Sequence, residues 1–315
     1  MMQDKRFLVA LILLAVVATG LMLQAPNQGG VEQGETLVLS GLDLDAVSGL
    51  ELSRGEERVS LVLGPDGWQV EQKASYPADF KNLAEFLLQL SKLRIAERKT
   101  AKPENHNRLG VADTGEGAGT SVTLKPGGEQ LIVGRTSTSR GSYFRYADAP
   151  QVYLADSLLE VSLDALTWLD PVIINVDAET VRQVSIATKS AGYLGAAWDE
   201  ESAELRLENV PVDRELRYEG IADTLGRLLV NLRLLDVEPY QDGFFIDPTV
   251  TRLTLENGDV IEVQTVQSGE EYWLHLGLDG KRDWQYRISE FTYRDLNKTM
   301  EDMLQPPEEG SGAQE

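Results

Sequence analysis

The chain has 315 residues, and its 51 acidic against 29 basic side chains give a formal charge of −22. A field of that sign repels nucleic-acid phosphates and anionic headgroups, so nucleic-acid binding is not expected. Cysteine is absent, which removes disulfides, thiolate metal sites and cysteine nucleophiles together. A hydrophobic content of 42% belongs to a folded protein, and the length corresponds to about two domains.

Residues 1–30 read as a membrane anchor and linker. Lys5 and Arg6 precede an uncharged apolar run over residues 7–23, and Gln24, Pro26 and Gly29 follow. At ~1.5 Å per residue the run covers roughly 26 Å of a hydrocarbon layer about 30 Å thick. The two basic residues favour an inside N-terminus, which puts the body on the far side. A cleaved signal is the alternative. Ala18 and Gly20 have the small-x-small spacing for it, but Leu21, Met22 and Leu23 follow at once, and a cut after Ala25 would abut Pro26. The expected state is an uncleaved, single-pass transmembrane helix in the bacterial inner membrane, with the body in the periplasm.

The body reads as a tandem duplication over residues 37–170 and 171–304. Asp43-Leu44-Asp45-Ala46-Val47 lines up with Asp177-Ala178-Glu179-Thr180-Val181 ahead of alternating, strand-like sequence. A tryptophan-bearing strand is expected next in each copy, at Trp68 and at Trp198. A helix follows. The first begins near Pro77 and carries Phe80, Leu83, Leu87 and Leu90 at helical spacing; the second carries Ile221, Leu225, Leu228, Leu229, Leu232 and Leu235. Hairpins come next, around Gly127-Gly128 in the first copy and around Asn257-Gly258 in the second, a two-residue turn signal. Tyr143-Phe144-Arg145-Tyr146 and Tyr272-Trp273-Leu274-His275 supply the following strand, and Val152-Tyr153-Leu154 and Tyr286-Arg287-Ile288 the last. Weaker helices close the copies at residues 157–169 and 291–304. Asp170-Pro171 breaks the chain between them. Residues 305–315, rich in Pro, Glu and Gly, read as a disordered tail. The expected fold class is α+β: a tandem duplication of a mainly antiparallel sheet unit with a packed helix, preceded by one N-terminal transmembrane helix.

Trp68, Tyr76-Pro77-Ala78-Asp79, Leu109-Gly110-Val111, Leu131-Ile132-Val133-Gly134-Arg135 and Tyr143-Phe144-Arg145, in this order and spacing, resemble the bacterial "domain of unknown function 4340" family. The resemblance covers most of the first copy and runs more faintly into the second. It implies an N-terminal anchor before a repeated domain and an association with ABC transporters of the gliding-motility auxiliary type. It implies no catalytic residue.

The residues themselves announce no reaction. His106 is expected in a solvated loop and His275 on a packed strand, and neither has ligand spacing. No nucleophile elbow or phosphate-binding glycine loop is present, and neither a cofactor nor a metal site is expected. One segment departs from the acidic background: Arg135, Arg140 and Arg145 lie among glycines and hydroxyls, and could form an anion or glycan pocket, since guanidinium groups fork anions. The bland reading is a hairpin connection whose arginines pair with surrounding acids.

The leading expectation is a membrane-anchored extracytoplasmic interaction protein, an auxiliary subunit of an ABC-type transport system whose partners are permease or auxiliary subunits. The alternative is a periplasmic ligand- or glycan-binding module using the arginine loop. A hydrolase built on dispersed carboxylates comes third, and the protein is not expected to be an enzyme.

Overall fold

The computed structural model describes residues 36–138, 141–189 and 192–306. The expected anchor therefore lies outside the described residues, among which no helix is long and apolar enough to cross a membrane. The chain divides into two compact units. The first takes the described chain up to Glu71 and again Phe80–Trp168; the second takes Gln72–Asp79 and everything from Leu169 on.

In the first unit, Asp43 caps a single 3-10 turn, its Oδ1 accepting from Asp45 N at 3.1 Å. Strands β1 (Gly49–Arg54), β2 (Glu57–Gly64) and β3 (Gly67–Val70) follow. The short β4 (Tyr76–Pro77) falls in the segment grouped with the second unit. Helix α1 (Phe80–Lys92) and β5 (Ile95–Arg98) come next, then the single-turn α2 (His106–Leu109). Strands β6 (Thr120–Lys125), β7 (Leu131–Thr136), β8 (Ser142–Tyr146) and β9 (Val152–Ala155) complete the unit. These strands pair antiparallel in the order β3-β2-β1-β6-β7-β8-β9-β5.

The second unit repeats this plan. Asp177 caps the equivalent 3-10 turn, accepting from Glu179 N at 3.0 Å. After β10 (Val172–Ile174) come β11 (Val181–Thr188), β12 (Gly192–Asp199) and β13 (Glu204–Leu207). One helical turn, α3 (Asp223–Gly226), leads to β14 (Leu232–Arg233) and β15 (Asp236–Pro239). Strands β16 (Thr249–Leu255), β17 (Val260–Ser268), β18 (Glu271–Leu276) and β19 (Trp284–Ile288) precede α4 (Glu290–Leu296) and α5 (Met300–Met303). The sheet order is β13-β12-β11-β16-β17-β18-β19-β15, strand for strand that of the first unit. The α+β, mainly antiparallel class and the duplicated plan are therefore present in the fold.

Four expectations about helices are corrected. Helix α1 starts at Phe80 rather than near Pro77, because Ala78 bridges Leu169 and Pro77 O accepts from Asp170 N at 3.0 Å, which holds that stretch extended. Its apolar stripe is as expected: Leu83, Phe86, Leu87 and Leu90 are buried. The second copy's long helix shrinks to α3. Its window contains Gly226, about 1 kcal/mol worse than alanine in a helix, and Asn231, which sits at φ +49° and ends any helical path. Leu225, Leu229 and Leu232 stay buried without helical continuity. Residues 157–169 form only a 3-10 turn at Ala165–Trp168, since side chains take the backbone groups a helix would use: Ser142 Oγ accepts from Leu159 N at 3.0 Å and Trp168 Nε1 donates to Ser162 O at 3.1 Å. The closing helix splits into α4 and α5, the latter started afresh by a Thr299–Asp302 capping box.

Two smaller corrections follow from topology. Trp68 lies on β3 but Trp198 on β12, the counterpart of β2, so the two tryptophans are not equivalent. Gln305, expected in the tail, donates its backbone N–H to Glu215 O at 2.9 Å. The remainder of the tail, residues 307–315, lies outside the described residues.

Candidate functional site

Along β8, Phe144 and Arg145 point to opposite faces of the first sheet. On the Arg145 side, the connection of residues 99–119 lies over the strands: Val111 packs on Ile132 and Val152. Glycines make this approach possible. A Cβ on Gly119 would stand 2.5 Å from Ile132 Cγ2, and one on Gly134 would stand 2.5 Å from Leu109 O. Real Cβ atoms do not come so close, so backbone here lies on backbone.

Arg145 fastens this cover. Only 3% exposed, it donates from Nε to Val111 O at 2.8 Å and from Nη1 to Tyr146 O at 3.2 Å and Ala147 O at 3.0 Å. Its Nη2 donates to Asp113, an exposed carboxylate. Four of its five N–H groups are thus spent inside the fold. Arg145 holds a loop down rather than lining a mouth. Arg135 lies on β7 with its side chain exposed, and its stem passes beside Gly110, where a Cβ would meet Arg135 Cγ at 2.7 Å. Arg140 lies outside the described residues. The structure does not gather Arg135 and Arg145 into one pocket.

His106 is buried, contrary to expectation, because α2 turns it inward to Pro150 O at 2.9 Å. His275 is half-buried on β18, with Nδ1 3.1 Å from Trp284 O and its ring 4.1 Å from that of Tyr240. Among the described residues no group of three or more His, Asp or Glu is placed to hold a metal ion. Among the described residues, two solvent-open depressions stand out. One, of about 360 Å³, lies between the Arg54–Gly55 tip and residues 113–116; the other, of about 380 Å³, lies beside Arg217, Tyr293 and Lys298. The end strands of the second sheet are partly closed to further pairing. Leu205 N–H is held by Asp223 at 2.9 Å, Val237 N–H by Asp236 at 2.7 Å, and Pro239 has no N–H.

An aromatic knot in the second unit was not legible in the sequence. Tyr76 is fully buried, edge-on to Trp284 at 5.1 Å and to Tyr286 at 6.0 Å, with Lys281 Nζ 5.6 Å from its ring centre. Tyr286 OH donates to Lys281 O at 3.2 Å, whereas Tyr76 OH has no hydrogen-bond partner among the described residues. Burial, and then the Asp170 charge, pushes the Tyr76 phenol well above its ordinary value; burial, then Tyr76 and Asp283, does the same for Tyr286. Two outcomes are expected in urea titrations. Tyr76→Phe removes an unsatisfied hydroxyl and leaves stability unchanged or raised by up to ~1 kcal/mol, while Tyr286→Phe costs about 1 kcal/mol. Both phenols have a higher pKa folded than unfolded. The linked stability is therefore complete below the unfolded pKa of about 10 and drains as pH rises past it, by up to about 1.4 kcal/mol per pH unit for each tyrosine. Tyr76→Phe should remove one tyrosine's share of that slope; an unchanged slope would contradict the buried phenol.

Fold and surface together define an acidic tandem-sheet α+β protein. The model of the family described as "Domain of unknown function (DUF4340)" matches residues 68–247, more than half of the chain, and the chain belongs to that family. The match runs from β3 of the first unit to the turn after β15 of the second. No curated protein and no solved structure matches the chain.

Proposed function

We propose that the chain is a membrane-anchored extracytoplasmic accessory protein that serves an ABC-type transport system. The observation that carries this reading is the apolar, uncharged run of residues 7–23 behind Lys5 and Arg6, set directly before a duplicated and strongly acidic body. Residues 7–23 tether the body at the outer face of the inner membrane. The choice of machine follows the association with ABC transporters that the family resemblance implies. The body contributes binding surface: Ile246 and Phe291 are both 75% exposed, apolar side chains of the kind that partners cover.

The test is affinity purification of the tagged full-length chain from membranes in mild detergent. Permease and ATPase subunits should copurify, and deletion of residues 1–25 should abolish their recovery. Recovery of the chain alone would sink the accessory role, and recovery unchanged by the deletion would sink the role of the anchor.

A further inference from the structure

The connection after β5 in the first unit and the connection after β15 in the second occupy the same place in the two sheet plans. The first is long, and it seats its own Val111, fully buried, on Ile132 and Val152. The second, residues 240–248, is short and built differently. Phe244 N donates to Gln241 O and Ile246 N to Phe244 O, each at 3.1 Å, so two tight turns follow one another. Gly243 at φ +80° and Asp247 at φ +49° take the left-handed conformations these turns need.

The turns divide the apolar residues. Phe244 faces Trp273 edge-on at 5.7 Å, and Phe245 stacks on Tyr240 at 6.0 Å, which in turn lies on His275 at 4.1 Å. Those rings anchor the loop on β18. Ile246 is left pointing outward, 75% exposed, on a support that is itself held in place. Residues 238–247 carry Glu238, Asp242 and Asp247 and no lysine or arginine, and Asp283 adjoins them, its carbonyl accepting from Tyr240 N at 2.9 Å. Asp247 pairs with Lys189 at 2.6 Å, but both are largely exposed, so the pair is easily exchanged.

We infer that residues 240–248 form a docking site for a basic, apolar segment of a partner protein, with Ile246 as the side chain it covers. Charge selects this occupant. A second copy carries −22 and is repelled, and an anionic bilayer is repelled for the same reason. A segment with lysine or arginine flanking apolar residues meets both the acids and the isoleucine. The site goes beyond the accessory reading by naming the surface through which that role is exercised.

The test uses the full chain in native membranes, with the photoreactive residue p-benzoylphenylalanine in place of the exposed Gln241. Irradiation should give one protein adduct whose cross-linked peptide combines Lys or Arg with apolar residues. Ile246→Asp should lower the adduct yield about tenfold while leaving the urea midpoint of the purified chain unchanged, and Ile246→Val should retain the adduct. No adduct, adducts confined to lipid or to a second copy, an acidic cross-linked peptide, or a yield indifferent to Ile246→Asp would each overturn the inference. A basic, apolar adduct from a protein outside any transport system would support the docking site and contradict the accessory role.

Discussion

Replacing Arg145 by alanine is expected to lower unfolding free energy by about 3 kcal/mol, whereas Arg135→Ala should stay within about 0.5 kcal/mol. The asymmetry follows from where each guanidinium lies. The Arg145–Asp113 pair itself contributes little, because Asp113 is 76% exposed and remains solvated when its partner leaves. The loss comes from the carbonyls of Val111, Tyr146 and Ala147, which give up their donor beneath the cover, and from the packed stem of a nearly buried side chain. Asp113→Asn should therefore cost under about 1 kcal/mol. Lysine at position 145 should recover less than half of the loss, since one ammonium cannot reach carbonyls that the guanidinium fork serves together. Urea titration of the purified chain reads all four variants. Equal, small losses for Arg135→Ala and Arg145→Ala would mean that both are surface residues, and would reopen the arginine loop as a ligand mouth.

Gly134→Ala should be about as damaging, at about 3 kcal/mol. The added Cβ would stand 2.5 Å from Leu109 O, 2.6 Å from Val111 Cγ1 and 2.8 Å from Gly110 O. Two of these three neighbours are backbone atoms and cannot swing aside as a side-chain end would, so the cover over Ile132 must lift, at the upper end of overpacking costs. Lifting it also pulls Val111 O from Arg145, so the two lesions are not independent. The double variant should fall short of the sum of the singles by at least about 0.5 kcal/mol. Gly277→Ala, with nothing within 4 Å of its Cβ, is the control and should stay within about 0.5 kcal/mol. Full additivity, or a harmless Gly134→Ala, would contradict the backbone-on-backbone contact.

The duplication was readable because it is written in short-range signals. Asp43 and Asp177 cap identical turns, Asn257-Gly258 makes a hairpin, and alternating apolar residues set strand faces; each acts within a few residues of itself. What the sequence hid depends on distant partners. The leucines of residues 221–235 have helical spacing, yet Val176 N takes Leu229 O at 2.9 Å and Asn175 Oδ1 takes Asn231 N at 2.8 Å, so an extended neighbour claims the backbone that a helix would use. Arg145 looked like one of three surface arginines, because no local feature tells that residues 99–119 fold over it. The glycines at 110, 117, 119 and 134 were the available clue: several in one cover and its strand mark backbone approach. For the docking loop, the signal was Phe244-Phe245-Ile246 enclosed by Gly243 and Asp247-Pro248, an apolar triplet inside turn residues.

The central claim is that the acidic tandem body works tethered to the membrane by residues 7–23. The most direct test is the intact mass and N-terminal sequence of the chain extracted from its native cells. Retention predicts that residues 7–23 are still part of the chain recovered from membranes washed at alkaline pH. A shorter soluble species beginning after Gly20 or Ala25 would contradict it, and with it the tether on which the transport role depends.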